Sequence, residues 1–149
     1  MSSFSESQEF RNPRIVGTAV VVSQSSGRWL VGRRLKDPFR DKFGFLGVYV
    51  RYSVDTVEDA AIRAVMEKSG IDIRSCQREL IDIRSSPQRD PRQHTIDVAF
   101  LFRHDLEPDA IKTSPDCVPI WASVVDLVPG DFAFDHGELL DAAKRRVAL

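Results

Sequence analysis

Between Thr56 and Gly70 the chain carries a complete start, stripe and stop for one helix, and the segments on both sides are written in strand periods. Thr56 is a good N-cap, with Asp59 three positions on to close a capping box. Val57, Ala61 and Val65 fall on one stripe with Ala60 beside them, and Gly70 suits the left-handed turn that ends a helix. Upstream, Ile15 to Val22 is a β-branched run. Gln24-Ser25-Ser26-Gly27 then makes a turn, and Trp29 to Val31 completes a hairpin. Lys36-Asp37-Pro38 breaks the pattern before a predicted strand over Phe45 to Tyr52. Downstream, strands are predicted over Glu79 to Arg84, Thr95 to Arg103 and Val118 to Ala122, with a polar loop over Ser85 to His94. In Thr95 to Arg103, Ile96, Val98, Phe100 and Phe102 alternate with Asp97, Leu101 and Arg103, a mostly amphipathic period of two. Leu139, Leu140, Ala143 and Val147 mark a C-terminal helix whose last turns hold Lys144-Arg145-Arg146, where cations suit the helix dipole. Strands, helix, strands, helix predicts a mixed α/β (α+β) sandwich rather than a regular βαβ repeat.

Composition narrows the function classes. The chain has 149 residues, one average domain, with 42% hydrophobic and 29% charged residues, so a packed core is expected without staples. Residues 1–12 read as a polar arm and residues 13–149 as one domain. No apolar run approaches the ~20 residues of a membrane span, and Met1 to Phe10 lack the apolar stretch of a secretory leader. A net charge of −1 disfavours a large nucleic-acid footprint. Cys76 and Cys117 form neither a close-spaced metal motif nor a disulfide framework, and a reducing, cytoplasmic setting is expected.

The segment Gly44-Phe45-Leu46-Gly47, followed by Asp55 through Ile71, resembles the Nudix box: Gly, five residues, Glu, seven residues, then Arg-Glu-apolar-x-Glu-Glu-x-Gly-apolar. Asp55 stands at the first Glu, and seven residues separate it from Arg63; Val65, Gly70 and Ile71 fit the rest. Lys36-Asp37-Pro38-Phe39, Arg89 through Ile96, and Phe134-Asp135-His136 are similar to the flanks of the ADP-ribose pyrophosphatase branch. The resemblance runs from about Asn12 to Arg145 and implies a Nudix α/β/α sandwich with a mixed sheet. It also implies a nucleoside diphosphate-type small molecule as partner and, at the family level, a homodimer.

The departures concern chemistry. In the family, three carboxylates at i, i+3 and i+4 share one helix face, bind Mg²⁺ or Mn²⁺ through hard oxygens and activate water against a diphosphate. Here those positions hold Ala64, Glu67 and Lys68, which takes the formal charge of the face from −3 to zero. Weak divalent binding is expected, with Glu67 and Asp55 as the remaining candidate metal ligands. The Ala64/Glu67/Lys68 face is expected to open on a groove.

Candidate catalytic residues are Glu67, Arg63 and His94. For Glu67 a salt bridge to Arg63 and a residual metal role are both open. Arg63, by resemblance, braces the loop before the helix. Lys68 is either a solvated helix residue or an ammonium that meets a phosphate directly. With it, Asp90, Arg92, Tyr49 and Gly47 are the candidate substrate-binding residues. His94, His104 and His136 have a near-neutral reference pKa, although each has a structural reading, and Trp121 and Phe132 are read as core before base-stacking. Asp116 is the nearest acid to the family's extra loop carboxylate. Two functions follow: a Nudix-type hydrolase of ADP-ribose-class or nucleotide-sugar compounds with weakened chemistry, or a non-catalytic nucleotide-binding or sensor domain.

Overall fold

The computed structural model describes residues 11–110 and 112–148. Of the polar arm expected over residues 1–12, residues 1–10 lie outside the described residues, and Arg11 and Asn12 are exposed. Seven strands form one mixed sheet: β1 Arg14–Ser23, β2 Trp29–Arg34, β3 Phe43–Gly44, β4 Leu46–Tyr49, β5 Gln77–Arg84, β6 Thr95–His104 and β7 Cys117–Ala122. Among the described residues two α-helices, α1 Val57–Ser69 and α2 His136–Val147, complete the sandwich. Among the described residues no helix is long and apolar enough to cross a membrane.

β1 is the hub. One edge runs parallel to β6 from Arg14↔Thr95 to Ser23↔His104. The other edge is divided: β4 takes its first half, from Val16↔Tyr49 to Ala19↔Leu46, and β2 takes its end at Val21↔Leu30 and Val22↔Trp29. Two strands sharing one edge make a fork, and the groove described below opens there. A hub strand is covered on both faces, which explains the unbroken apolar run Ala19 to Val22. Ala19 and Val21 pack with Ala61, Ala64 and Val65 of α1. Val20 and Val22 pack with Leu139, Leu140 and Ala143 of α2 on the other side.

The helix that positions the site follows its local signals. The Thr56 hydroxyl accepts from Asp59 N–H at 3.0 Å while the Asp59 carboxylate accepts from Thr56 N–H at 2.9 Å, a capping box whose loss costs about 1 kcal/mol. Gly70 ends the helix at φ 78°, its N–H donating to Met66 O. The buried face is built from Ala60, Ala61, Ala64, Val65 and Ser69, small residues that let α1 lie almost on the backbone of β1.

Three expectations need correction. The strand expected over Phe45 to Tyr52 is shorter, β4 covering Leu46–Tyr49, and a separate short strand, β3, precedes it. β3 pairs with β2 (Gly32↔Gly44) whereas β4 pairs with β1, so the chain steps between neighbours at Phe45, whose N–H leaves the ladder and donates to His136 Nδ1 at 3.1 Å. β6 is not amphipathic, because helices cover both faces of the sheet; Asp97 is 1% exposed. Ala64 does not open on a groove: it is fully buried in the core beneath α1 with Val65, Ile71 and Cys117.

Candidate functional site

Where β1 forks, a groove of about 490 Å³ opens. Its floor is β1 (Val16, Thr18) and Gly47 of β4, and one wall is the end of α1 with Glu67 and Lys68. The opposite wall is the loop carrying Arg89, Asp90 and Arg92 together with Phe134 and His136, and the rim is Lys36, Asp37 and Ser114 to Asp116.

Arg63 braces the loop before the helix. Its Nη2 donates to Asp55 Oδ2 at 2.7 Å and to Tyr49 O at 2.9 Å, and its Nη1 donates to Glu67 Oε1 at 3.3 Å. Arg51 also grips Asp55, donating from its backbone N–H at 2.9 Å and from both ends of its guanidinium. These contacts, the Arg51 ones foremost, hold the Asp55 carboxyl far below the usual carboxylate range. Asp55 is therefore occupied by two arginines and does not line the groove, so it stands as a loop anchor. Tyr49 does line it, with Arg14 stacked 3.6 Å from its ring centroid and its hydroxyl accepting from Gln93 Nε2 at 3.0 Å.

Lys68 reaches across from α1, its Nζ donating to Gly47 O at 3.0 Å. Gly47 has no room for a side chain, since a Cβ there would sit 2.5 Å from Thr18 Oγ1. Part-burial lowers the Lys68 pKa, and Arg34 lowers it further against the opposing pull of Cys117, Asp116 and Glu67. Burial also lowers Arg34, with Arg92 adding to it.

The far wall is an ion network. Arg89, its side chain 4% exposed, bonds Asp135 at 2.8 Å and Asp97 at 3.3 Å. Asp97 Oδ2 also accepts from His136 Nε2 at 3.0 Å. Because Phe45 N–H donates to Nδ1, the neutral His136 ring carries its proton on Nε2 and both nitrogens are engaged. The Asp90 carboxylate receives the backbone N–H, Nε and Nη2 of Arg92 at 2.9, 3.0 and 2.9 Å. Burial would raise that carboxyl, but Arg92 holds it below its ordinary value. Phe134 packs among the guanidiniums of Arg34 (4.9 Å), Arg92 (5.5 Å) and Arg89 (6.0 Å).

The structure thus brings Gly47, Tyr49, Glu67, Lys68, Asp90, Arg92 and Asp116 to one groove. It leaves His94 outside, exposed and bonded to Ser85 O at 3.2 Å. His104 lies at the end of β6, its Nδ1 accepting from Leu106 N–H. Trp121 and Phe132 belong to the two cores rather than the groove. Arg34, Arg89, Phe134, Thr18 and Asp97 are groove residues not named as candidate site residues from the sequence. The usable signals were the two cations at the end of the first hairpin, Arg33-Arg34, and the Arg in the middle of the loop before β6.

The donor set does not fit the cation cluster of the resemblance. Ala64 offers a buried methyl, Lys68 an ammonium, and Glu67 a single carboxylate already bonded to Arg63. No three His, Cys, Asp or Glu side chains among the described residues are grouped to hold a metal ion.

Comparison with known proteins agrees with the fold. An ADP-ribose pyrophosphatase of Methanocaldococcus jannaschii is 28% identical over 119 residues, 80% of this chain and 67% of that protein. The NUDIX domain of Shewanella oneidensis NrtR complexed with ADP ribose matches with TM-score 0.81 at 20% identity, over 97% of this chain and 94% of that one. A bifunctional NMN adenylyltransferase/ADP ribose pyrophosphatase from Francisella tularensis, complexed with AMP and a Mn ion, matches with TM-score 0.78 at 19% identity, over 92% of this chain and 42% of that one. At these identities the solved structures establish the sandwich. The NUDIX domain model matches residues 13–146, from the start of β1 through α2, and the chain therefore belongs to the NUDIX domain family.

Proposed function

We propose that the fork groove binds nucleoside diphosphate derivatives of the ADP-ribose or nucleotide-sugar class, and that this Nudix-type hydrolase carries weakened or altered chemistry. The observation that carries the reading is the lining itself. One groove of about 490 Å³ combines the Phe134 face with two cations, Arg34 and Lys68, that have no carboxylate within salt-bridge distance among the described residues. A ligand with phosphates at one end and an apolar or ring face at the other meets both features, and the volume is that of a nucleotide-sized pocket.

Glu67 is the one carboxylate that the box turns toward the groove, positioned by Arg63. Mg²⁺ or Mn²⁺ held there would have far fewer hard ligands than a phosphoryl-transfer centre ordinarily provides, so weak metal-dependent turnover is expected. The Lys68–Gly47 contact favours a second reading, a nucleotide-binding or sensor domain without turnover, because it fills a carboxylate position with a cation already seated on the groove floor. A cytoplasmic setting, from the cysteine usage, and a homodimer, by family resemblance, complete the proposal, and sedimentation of the purified chain tests the dimer.

The deciding assay is a panel of ADP-ribose, GDP-mannose and simple nucleotides with Mg²⁺, Mn²⁺ or chelator, scored separately for thermal shift and product. Expected are a thermal shift with at least one diphosphate-linked compound and turnover well under about 1 s⁻¹, the low edge of ordinary enzymes. Ordinary turnover abolished by Glu67→Gln would mean that the single carboxylate suffices. No shift with any compound would end the reading.

A further inference from the structure

Five basic side chains line the groove: Arg34, Lys36, Lys68, Arg89 and Arg92. Three have carboxylate partners, Lys36 with Asp116 at 3.4 Å, Arg89 with Asp97 and Asp135, and Arg92 with Asp90 at 2.9 Å. Among the described residues Arg34 and Lys68 have none within salt-bridge distance. Each is steadied by a single backbone carbonyl, Arg34 Nε on Pro38 O at 2.8 Å and Lys68 Nζ on Gly47 O at 3.0 Å. They come from different elements, β2 and α1, and converge on one part-buried space. Like charges gathered where water is partly excluded repel, and a bound anion relieves both the repulsion and the lost hydration. An ammonium retains donors after one carbonyl contact, and so does a guanidinium after one Nε contact.

Resting on the ligand class proposed above, we infer that Lys68 and Arg34 form a metal-independent phosphate site, in which two protein cations hold the diphosphate directly. Lys68 then occupies a carboxylate position of the box with the opposite sign, and the ligand's phosphates supply the countercharge. Glu67, on the groove wall and tied to Arg63, restricts the anion to the Lys68–Arg34 side by repulsion. The other three cations of the groove are neutralised by their carboxylate partners, whereas these two make the contacts. This assigns specificity: compounds with at least one diphosphate bind, and the corresponding nucleosides without phosphate do not.

The test is calorimetry of the full chain with ADP-ribose and, separately, inorganic pyrophosphate, in chelator and at two salt concentrations. Wild type is expected to bind both without divalent cations, more weakly at higher salt. Lys68→Gln and Arg34→Gln should each weaken binding about tenfold or more, the loss of a charge-assisted contact, and Lys68→Arg should retain it. Arg28→Gln, whose partner Glu107 lies away from the groove, serves as the unaffected control, and circular dichroism confirms that each variant is folded. ADP-ribose affinity equal in wild type and both Gln variants, or binding seen only with Mg²⁺ or Mn²⁺, overturns the site while leaving the ligand class standing. Pyrophosphate bound in a Lys68-dependent way with no nucleotide bound under any condition overturns the ligand class while leaving the site.

Discussion

Arg89→Ala is expected to destabilise the fold by about 3–5 kcal/mol, the cost of removing one partner from a buried charge network. Arg89 is the cation between Asp97 and Asp135, at 3.3 and 2.8 Å. Asp97 already has one buried oxygen without a partner, and Arg89 removal leaves His136 as its remaining contact. For a domain of this size the change corresponds to a fall of about 10 °C or more in the midpoint of thermal unfolding. Differential scanning calorimetry at neutral pH measures it; a fall of only a degree or two would mean that water replaces the guanidinium at little cost.

The same network sets an acid dependence. Burial would raise the Asp135 carboxyl, but Arg89 first and then Arg84 hold it below its ordinary value. A carboxyl depressed in the folded state contributes stability that is complete above the unfolded-state pKa of about 4 and is lost as pH falls through the folded value. In Arg89→Ala the burial effect loses its main opposition and the folded value moves up toward the unfolded one, so the acid-linked loss shrinks: the variant, less stable at neutral pH, should lose less stability between about pH 5 and pH 3 than wild type. Unfolding midpoints from pH 7 to pH 3 for the two proteins separate the curves.

Gly17→Ala is the second large effect. A Cβ on Gly17 would lie 2.2 Å from Val57 O and 2.9 Å from both Ala60 Cβ and Ala61 N. Two of those atoms are helix backbone, so no rotamer change removes the clash and α1 must lift from β1. The expected cost is about 2–3 kcal/mol, in the range of overpacked cores. Since α1 carries Arg63, Glu67 and Lys68, ADP-ribose affinity should fall in the same variant even where it remains folded. Gly130→Ala, where a Cβ meets nothing within 4 Å, should stay within about 0.5 kcal/mol of wild type. Equal stability of the two alanine variants would show that the strand–helix contact is looser than the structure indicates.

Helix α1 was legible because its determinants are local. A cap, a period and a left-handed glycine act within a few residues, and Thr56, Asp59 and Gly70 do what their side chains and backbone freedom dictate. The hairpin, the strands and the C-terminal helix carry similar short-range signals, and the order of the box and its flanks was enough to identify the family. The fork at β1 was not legible, because which neighbour takes each half of one strand edge depends on pairings tens of residues apart, and the break at Phe45 is a consequence of that choice. Burial of Asp97 and Ala64 was hidden for a related reason. A period of two or 3.6 tells which residues share a face, not whether a second layer covers it. The motif likewise showed that Lys68 stands where a carboxylate belongs. Only the tertiary structure decided that it points at Gly47 beside Arg34, which has no carboxylate within salt-bridge distance among the described residues, since the sign of the charge belongs to the residue whereas its partners belong to the fold.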